Sequence, residues 1–307
     1  MRKIPALIVT AGLLATLTAC STSTAPGSAG CTTPASGDAS SVVSASGTVG
    51  KKPTSVSIPT PINTKQTEVS TLVAGHGQVI TDGTPVLIKY TIYSGATGDV
   101  VSSSSYGTPT APLTVGATSG GPIADALVCS TVGSRVAVAV KASELTSTTA
   151  KKTDKSGPAY IAVVDIVKAF LPKADGRLVR GVNNMPAVVT AANGAPGISI
   201  PDVAAPTTEK VQLIRKGSGH VLTKSDTAIV QYTAVDWAST PTVQGSTWTD
   251  TGAATTVDLG SSQIAASVRS ALIGQPVGSQ VMVVVPPAKG ATTASTYVYV
   301  FDVLGAL

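Results

Sequence analysis

The chain repeats itself at an offset of 142 residues, with no gap needed across the match. Val56-Ser57-Ile58-Pro59 recurs as Ile198-Ser199-Ile200-Pro201, and Gly75-His76-Gly77 as Gly217-Ser218-Gly219. Lys89-Tyr90-Thr91 recurs as Gln231-Tyr232-Thr233. Internal repetition sets the number of folded units before any other reading. A period near 140 is too long for a solenoid unit and is the length of one ordinary domain plus a connection. The chain therefore holds two copies of one fold, and that fold must close its core within about 100 residues.

Residues 1–19 read as a cleaved leader. Met1-Arg2-Lys3 is a short basic start, and 4–17 is mostly apolar. That run falls short of the roughly 20 apolar residues a membrane span needs, so it is a secretory signal and not part of the fold. It ends in Leu17-Thr18-Ala19-Cys20, which resembles a bacterial lipobox. The resemblance implies cleavage before Cys20 and lipidation of its thiol; the alternative is plain secretion with a chance cysteine at the cut. Acyl chains bury about 0.8 kcal/mol per CH₂, so a multiply acylated Cys20 would hold the protein on the outer face of the cell membrane. Residues 20–54 are rich in Ser, Thr, Ala, Gly and Pro. They are expected to form a disordered tether, because they carry too little apolar surface to order themselves.

Composition excludes more than it selects. The formal charge is +5, two of those charges (Arg2, Lys3) lie in the leader, and no basic cluster stands out. Nucleic acid is therefore a poor partner. Cys31 falls in the tether and Cys129 in the first copy. They could pair in an oxidising compartment, but a buried free Cys129 is the expectation, since a bridge to a disordered segment has no evident use. His76 and His220 stand at different positions of their glycine-rich turns. They make neither a metal site nor a nucleophile–base pair, so no metal or cofactor is expected.

The pattern divides the chain into a first domain over 55–170, a linker over 171–197 and a second domain over 198–307. In the second copy 227–232, 255–259, 280–285 and 297–304 read as strands. Between them Ile264, Val268 and Leu272 recur at i, i+4 and i+8, one apolar face of a short helix over 263–273 ended by Gly274. The first copy follows with strands at 85–90, 112–115, 135–140 and 160–167, and a shorter helix at 122–130. A Lys-rich loop at 141–158 has no counterpart in the second copy. Strands with one helix near the middle argue for α+β, a curved antiparallel sheet wrapped on that helix. An all-β adhesion sandwich would carry no such helix.

Several pieces in this order resemble the FKBP-type peptidyl-prolyl isomerases, over roughly 66–170 and 209–307. In the second copy they are the Gly-x-Gly turn, Ile229-Val230-Gln231-Tyr232-Thr233, Leu259-Gly260 and Ala271-Leu272-Ile273-Gly274-Gln275-Pro276-Val277-Gly278-Ser279. Val285-Pro286-Pro287 and Val300-Phe301-Asp302-Val303 complete the set. The resemblance implies two FKBP-like domains, each with an apolar pocket between helix and sheet that holds a proline ring. By matching position the second pocket would use Tyr232, Val243, Ile264, Val268 and Phe301. The first would use Tyr90, Val101, Ile123 and Val164. Trp248, with Tyr106 at the equivalent place, would either refill part of a pocket or sit on its rim.

The chain also departs from the family. The Phe-Asp-Ser-Ser expected after the first turn is Val101-Ser102-Ser103-Ser104 in one copy and Val243-Gln244-Gly245-Ser246 in the other. The helix tryptophan is Val268 or Ile123, and Asp250 is displaced by several residues. Two classes of function follow: an isomerase on proline-containing or unfolded polypeptides outside the membrane, or a peptide-binding chaperone that kept the groove without turnover. The second copy, with Phe301 and the longer helix, is the better candidate.

Overall fold

The computed structural model describes residues 34–108, 112–145, 158–288 and 295–307. The leader, Cys20, the tether up to residue 33 and most of the 141–158 loop lie outside these. Among the described residues no helix is long and apolar enough to cross a membrane.

The first copy runs α1 (Asp38–Ser41), β1 (Ser44–Ser46), β2 (Ser55–Ser57), β3 (Glu68–Val73), β4 (Pro85–Ser94), β5 (Val100–Ser103) and β6 (Leu113–Thr114). It continues with α2 (Gly121–Asp125), β7 (Arg135–Val140) and β8 (Tyr160–Ala169). Its sheet has the order β3-β7-β8-β4-β5, with β6 also on β4. The second copy runs β9 (Arg177–Leu178), β10 (Ala187–Thr190), β11 (Pro196–Ser199), β12 (Lys210–Lys216), β13 (Thr227–Asp236) and β14 (Val243–Ser246). Then come α3 (Thr247–Asp250), β15 (Thr255–Asp258), α4 (Ala266–Leu272), β16 (Gln280–Val285) and β17 (Tyr297–Ala306). Its order is β14-β13-β17-β16-β12-β9, with β15 on β13. Apart from β9, which only the second sheet has, the sheets match strand for strand, all their pairings are antiparallel, and each carries its helix between the same two strands. This is the FKBP-like α+β architecture expected from the sequence.

The repetition reaches the irregularities. Register breaks fall at Thr71/Val73, Leu87/Ile88 and Ile92/Tyr93, and again at Leu213/Arg215, Ile229/Val230 and Ala234/Val235. Each is displaced by the same 142 residues. Bulges sharpen the local twist, so both sheets bend at the same places. The Gly-x-Gly turn is equally structural. A Cβ at Gly75 or Gly217 would overlap the carbonyl oxygen of Val132 or Val277, and each glycine N–H donates to Ser134 Oγ (2.9 Å) or Ser279 Oγ (3.0 Å). The turn and the Val-Gly-Ser motif thus interlock.

Each sheet is covered on both faces, which is why its central strands read as continuous apolar runs. On the helix side of the first copy Val136, Val138 and Val140 pack with Val164, Ile166, Ala126 and Leu127. Behind it Ala137, Ala139, Ile161 and Val163 pack with Ala39, Val43 and Ile62. In the second copy Val281 and Val283 meet Ala271, Leu272, Val230 and Phe301. Behind them Met282, Val284, Val298 and Val300 meet Met185, Val188 and Ile198.

Those rear covers correct two expectations. The tether expected over 20–54 is folded from residue 34: β1 pairs with β2, and Val69 N–H donates to Ala35 O at 3.1 Å. The backbone N–H groups of Ala39 and Ser40 donate to Glu68 Oε2, which caps α1 from a distant strand. The linker expected over 171–197 is also built in. Within it β9 extends the second sheet, and β10 pairs with β11. Small and polar residues hid both, because their order comes from the sheet they cover. Cys129 is likewise disulfide-bonded, its partner outside the described residues, against the expected free thiol. With residue 34 onward fixed to the first copy, the premise of a bridge to a loose tether no longer holds.

The helices are shorter than expected: 263–273 resolves to Ala266–Leu272, with Ile264 just before it, and 122–130 to Gly121–Asp125. The two copies share a joint. Phe170, Ile229 and Leu304 form a buried cluster with Leu87, Leu171 and Ala254. Leu171 N–H donates to Leu304 O at 3.1 Å, and Ala254 N–H to Thr114 Oγ1 at 3.0 Å.

Candidate peptide groove

Side chains alternate between faces along a strand, so β13 and β17 decide what faces α4. Tyr232 and Phe301 are direct cross-strand partners, and Phe301 pairs onward with Val281. The Tyr232 and Phe301 rings lie 5.7 Å apart, tilted by 37°. Such off-parallel aromatic pairs add about 0.5–1.5 kcal/mol beyond burial. Ile264, ahead of α4, and Val268, on it, pack against the same cluster. Four of the five residues expected in the second pocket are thus brought together.

Tyr299 was not foreseen. Its ring stacks on Phe301 at 5.9 Å and 10°, and it is only part-buried. The alternation Tyr297-x-Tyr299-x-Phe301 is the signal that places all three on one face. Burial pushes the Tyr299 phenol above its ordinary range, and the neighbouring Tyr297 and Tyr232 phenols add to that. The site is therefore an aromatic wall edged by tyrosine hydroxyls, opposite an aliphatic helix.

The remaining expectations are corrected. Val243 is 61% exposed and Val101 52% exposed, because β14 and β5 end their sheets and these side chains face away from the core. Trp248, on α3, turns to the rear: a Cβ at Gly194 would stand 2.6 Å from its Cη2, and Gly194 lies in the turn of the covering hairpin. Its Nε1 is buried with no hydrogen-bond partner. Tyr106 lies beside rear-facing Thr91, its hydroxyl 3.1 Å from Thr91 Oγ1. Asp250 does not replace the missing carboxylate, since its Oδ2 accepts from Ser246 N–H at 3.0 Å.

In the first copy Tyr90, Ile123 and Val164 also share one cluster, with Tyr90 directly paired to Val164. Ala162 and Val164 stand where the second copy has Tyr299 and Phe301, so this groove lacks the aromatic wall. Among the described residues no group of three or more His, Cys, Asp or Glu is placed to hold a metal. His220 Nε2 lies 3.0 Å from Asp226 Oδ2. The Thr223 backbone N–H and then His220 pull that carboxyl down to about 2.

No protein-family model matches the chain, and no curated protein matches it. Among solved structures it aligns with FkpA from Escherichia coli at 19% identity, covering 39% of this chain and 51% of that one, with a TM-score of 0.27. A putative peptidyl prolyl cis-trans isomerase, FKBP12 from Mycobacterium tuberculosis, aligns at 19% identity over 33% and 86% of the two chains, with a TM-score of 0.28. The three FKBP domains of wheat FKBP73 align at 16% identity over 78% and 94%, with a TM-score of 0.31. The chain thus spans about half the length of FkpA. The last two of these structures carry the FKBP name, and the strand order and helix position described above define the fold by themselves.

Proposed function

We propose that the second copy is a weak FKBP-type peptidyl-prolyl isomerase acting on proline-containing or unfolded polypeptides outside the membrane. The first copy is a degenerate partner. The observation that carries this reading is the convergence of Tyr232, Tyr299 and Phe301 with Ile264 and Val268 on the helix face of the sheet.

The reaction needs no nucleophile. Rotation about an X–Pro bond is slow because partial double-bond character must be broken. A site that binds the twisted amide more tightly than the planar one accelerates rotation tenfold per 1.4 kcal/mol or so. An apolar floor suits the twisted amide, which is less polar, and tyrosine hydroxyls can orient the flanking carbonyls. Anchoring through a lipid on Cys20 belongs to the same proposal. A leader that ends just before Cys20 and a disulfide at Cys129 both fit an oxidising, extracytoplasmic setting.

A second reading, a groove that binds peptide without turnover, is favoured by one observation. Asp250, the aspartate nearest in sequence to the family's carboxylate, is bonded through its Oδ2 to the Ser246 N–H. An isomerisation assay on the chain from Ser21 onward, beside peptide titration, separates the two. Acceleration lost in the Tyr232→Ala/Phe301→Ala double variant supports the isomerase. Binding without acceleration selects the second reading, and neither effect overturns both.

A further inference from the structure

One row, buried at its centre, crosses each sheet on its rear face. In the second copy Arg215, Gln280, Asp302 and Gln231 are successive cross-strand partners on β12, β16, β17 and β13. In the first copy the same row reads Val73, Arg135, Asp165 and Lys89. The aspartate is common to both, and its neighbour differs.

In the first copy Arg135 Nε and Nη2 donate to the two Asp165 oxygens at 2.6 and 2.7 Å. The remaining guanidinium N–H groups donate to the carbonyls of Ser46, Gly47, Thr48 and Lys51, and Gly50 N–H donates to Asp165 Oδ2 at 2.7 Å. The pair grips the segment that leads into its domain. Asp302 does the same for the segment joining the two copies, accepting from Ala174 N–H at 2.8 Å. Its other oxygen, however, faces an amide: Gln280 Nε2 donates to Oδ1 at 2.7 Å. Asp302 is 1% exposed and has no ion pair among the described residues. Gln280 Oε1 is itself buried without a donor.

A neutral Asp302 removes a buried charge that no cation touches, and its O–H can donate to the Gln280 amide oxygen once that amide is turned over. We propose that Asp302 is a proton-sensitive clasp on the segment joining the two copies, tight when the carboxyl is neutral and loosened when it ionises. The charged groups around it are Arg215 on β12, whose Nη1 is committed to Gly176 O, and Lys173 and Asp175 on the clasped segment. Gln280 and Gln231, on β16 and β13, carry no charge.

Burial drives the Asp302 carboxyl upward; the Ala174 and Gln280 hydrogen bonds and then Arg215 and Lys173 only oppose this, and the net direction is up. A carboxyl raised in the folded state binds more protons there than in the unfolded chain. Its contribution is therefore complete below the unfolded value of about 3.9 and is lost as pH rises through the folded value.

Trp237 and Trp248 are the only tryptophans, so their fluorescence reports the second copy within the full chain. The expected result is a urea midpoint that falls as pH rises from about 4 to about 8 in the wild type and stays level in Asp302→Asn, whose amide mimics the neutral acid. The protection of the Ala174 amide, its exchange rate corrected for the intrinsic base-catalysed rise with pH, should fall over the same range in the wild type only. An equal slope in Asp302→Asn overturns the proposal. Should that variant not fold, NMR titration of the wild-type Asp302 carboxyl decides alone: a value above the ordinary aspartate range supports the clasp, and one at or below it overturns it.

Discussion

At the residue scale, the repeated motifs divide into those that hold the fold and those that can touch a ligand. Gly75 and Gly217 belong to the first kind, because a Cβ at either would collide with a backbone carbonyl. Gly217→Ala should therefore destabilise the second copy by about 1–3 kcal/mol through overpacking, read by tryptophan-detected urea unfolding, without altering the groove. Arg135 is a fully buried cation whose donors are all engaged. Arg135→Met strands Asp165 without its partner and should cost the first copy about 3–5 kcal/mol. Arg135→Met/Asp165→Leu should recover part of that loss, and a double variant no more stable than the single one would contradict this account of the pair. Tyr299 belongs to the second kind. If its hydroxyl orients a bound peptide, Tyr299→Phe should lower kcat/KM by about threefold to tenfold, the value of one hydrogen bond, with the unfolding midpoint unchanged.

At the element scale, what was legible in the sequence is what strand and helix periodicity encode. Tyr232 and Phe301 were named through the family resemblance, and alternation along β13 and β17 is the physical reason they share one face as cross-strand partners. Val268 and Ile264 also carried the i, i+4 stripe, and both pack on the groove cluster although Ile264 falls just ahead of α4. Val101 and Val243 failed because a pocket assignment by position assumed the edge strand turns inward, and an edge strand has a free side to turn to. The tether expected up to residue 54 failed for another reason: from residue 34 its order comes from Glu68, Val69 and Arg135, about 30 to 90 positions further on, which bond its backbone irrespective of side chain. No local pattern can encode that. Removing residues up to 57 should therefore expose the Ala137, Ala139 and Ile161 face and make the first copy susceptible to limited proteolysis. Unchanged protection after that truncation would show the segment to be the dispensable tether its composition suggests.

At the scale of the whole molecule, the joint around Phe170 couples the copies. Phe170 is 5% exposed and lies against Gly305, where any Cβ would meet its ring. Phe170→Ala removes the centre of the joint, at a cost of about 3–5 kcal/mol, and should split thermal unfolding into two calorimetric transitions. A single shifted transition would mean that other contacts carry the coupling. The two copies also differ where it matters for function, since one groove has an aromatic wall and the other Ala162 and Val164. Tyr90 and Tyr232 occupy the same repeat position and pair with Val164 and Phe301 respectively. The most direct measurement is therefore kcat/KM for proline isomerisation with Tyr90→Ala and Tyr232→Ala compared in one assay. A loss of about tenfold or more in Tyr232→Ala, with Tyr90→Ala close to the wild type, is the expected result. Equal losses in the two variants, or a loss confined to Tyr90→Ala, would contradict the placement of the working groove in the second copy.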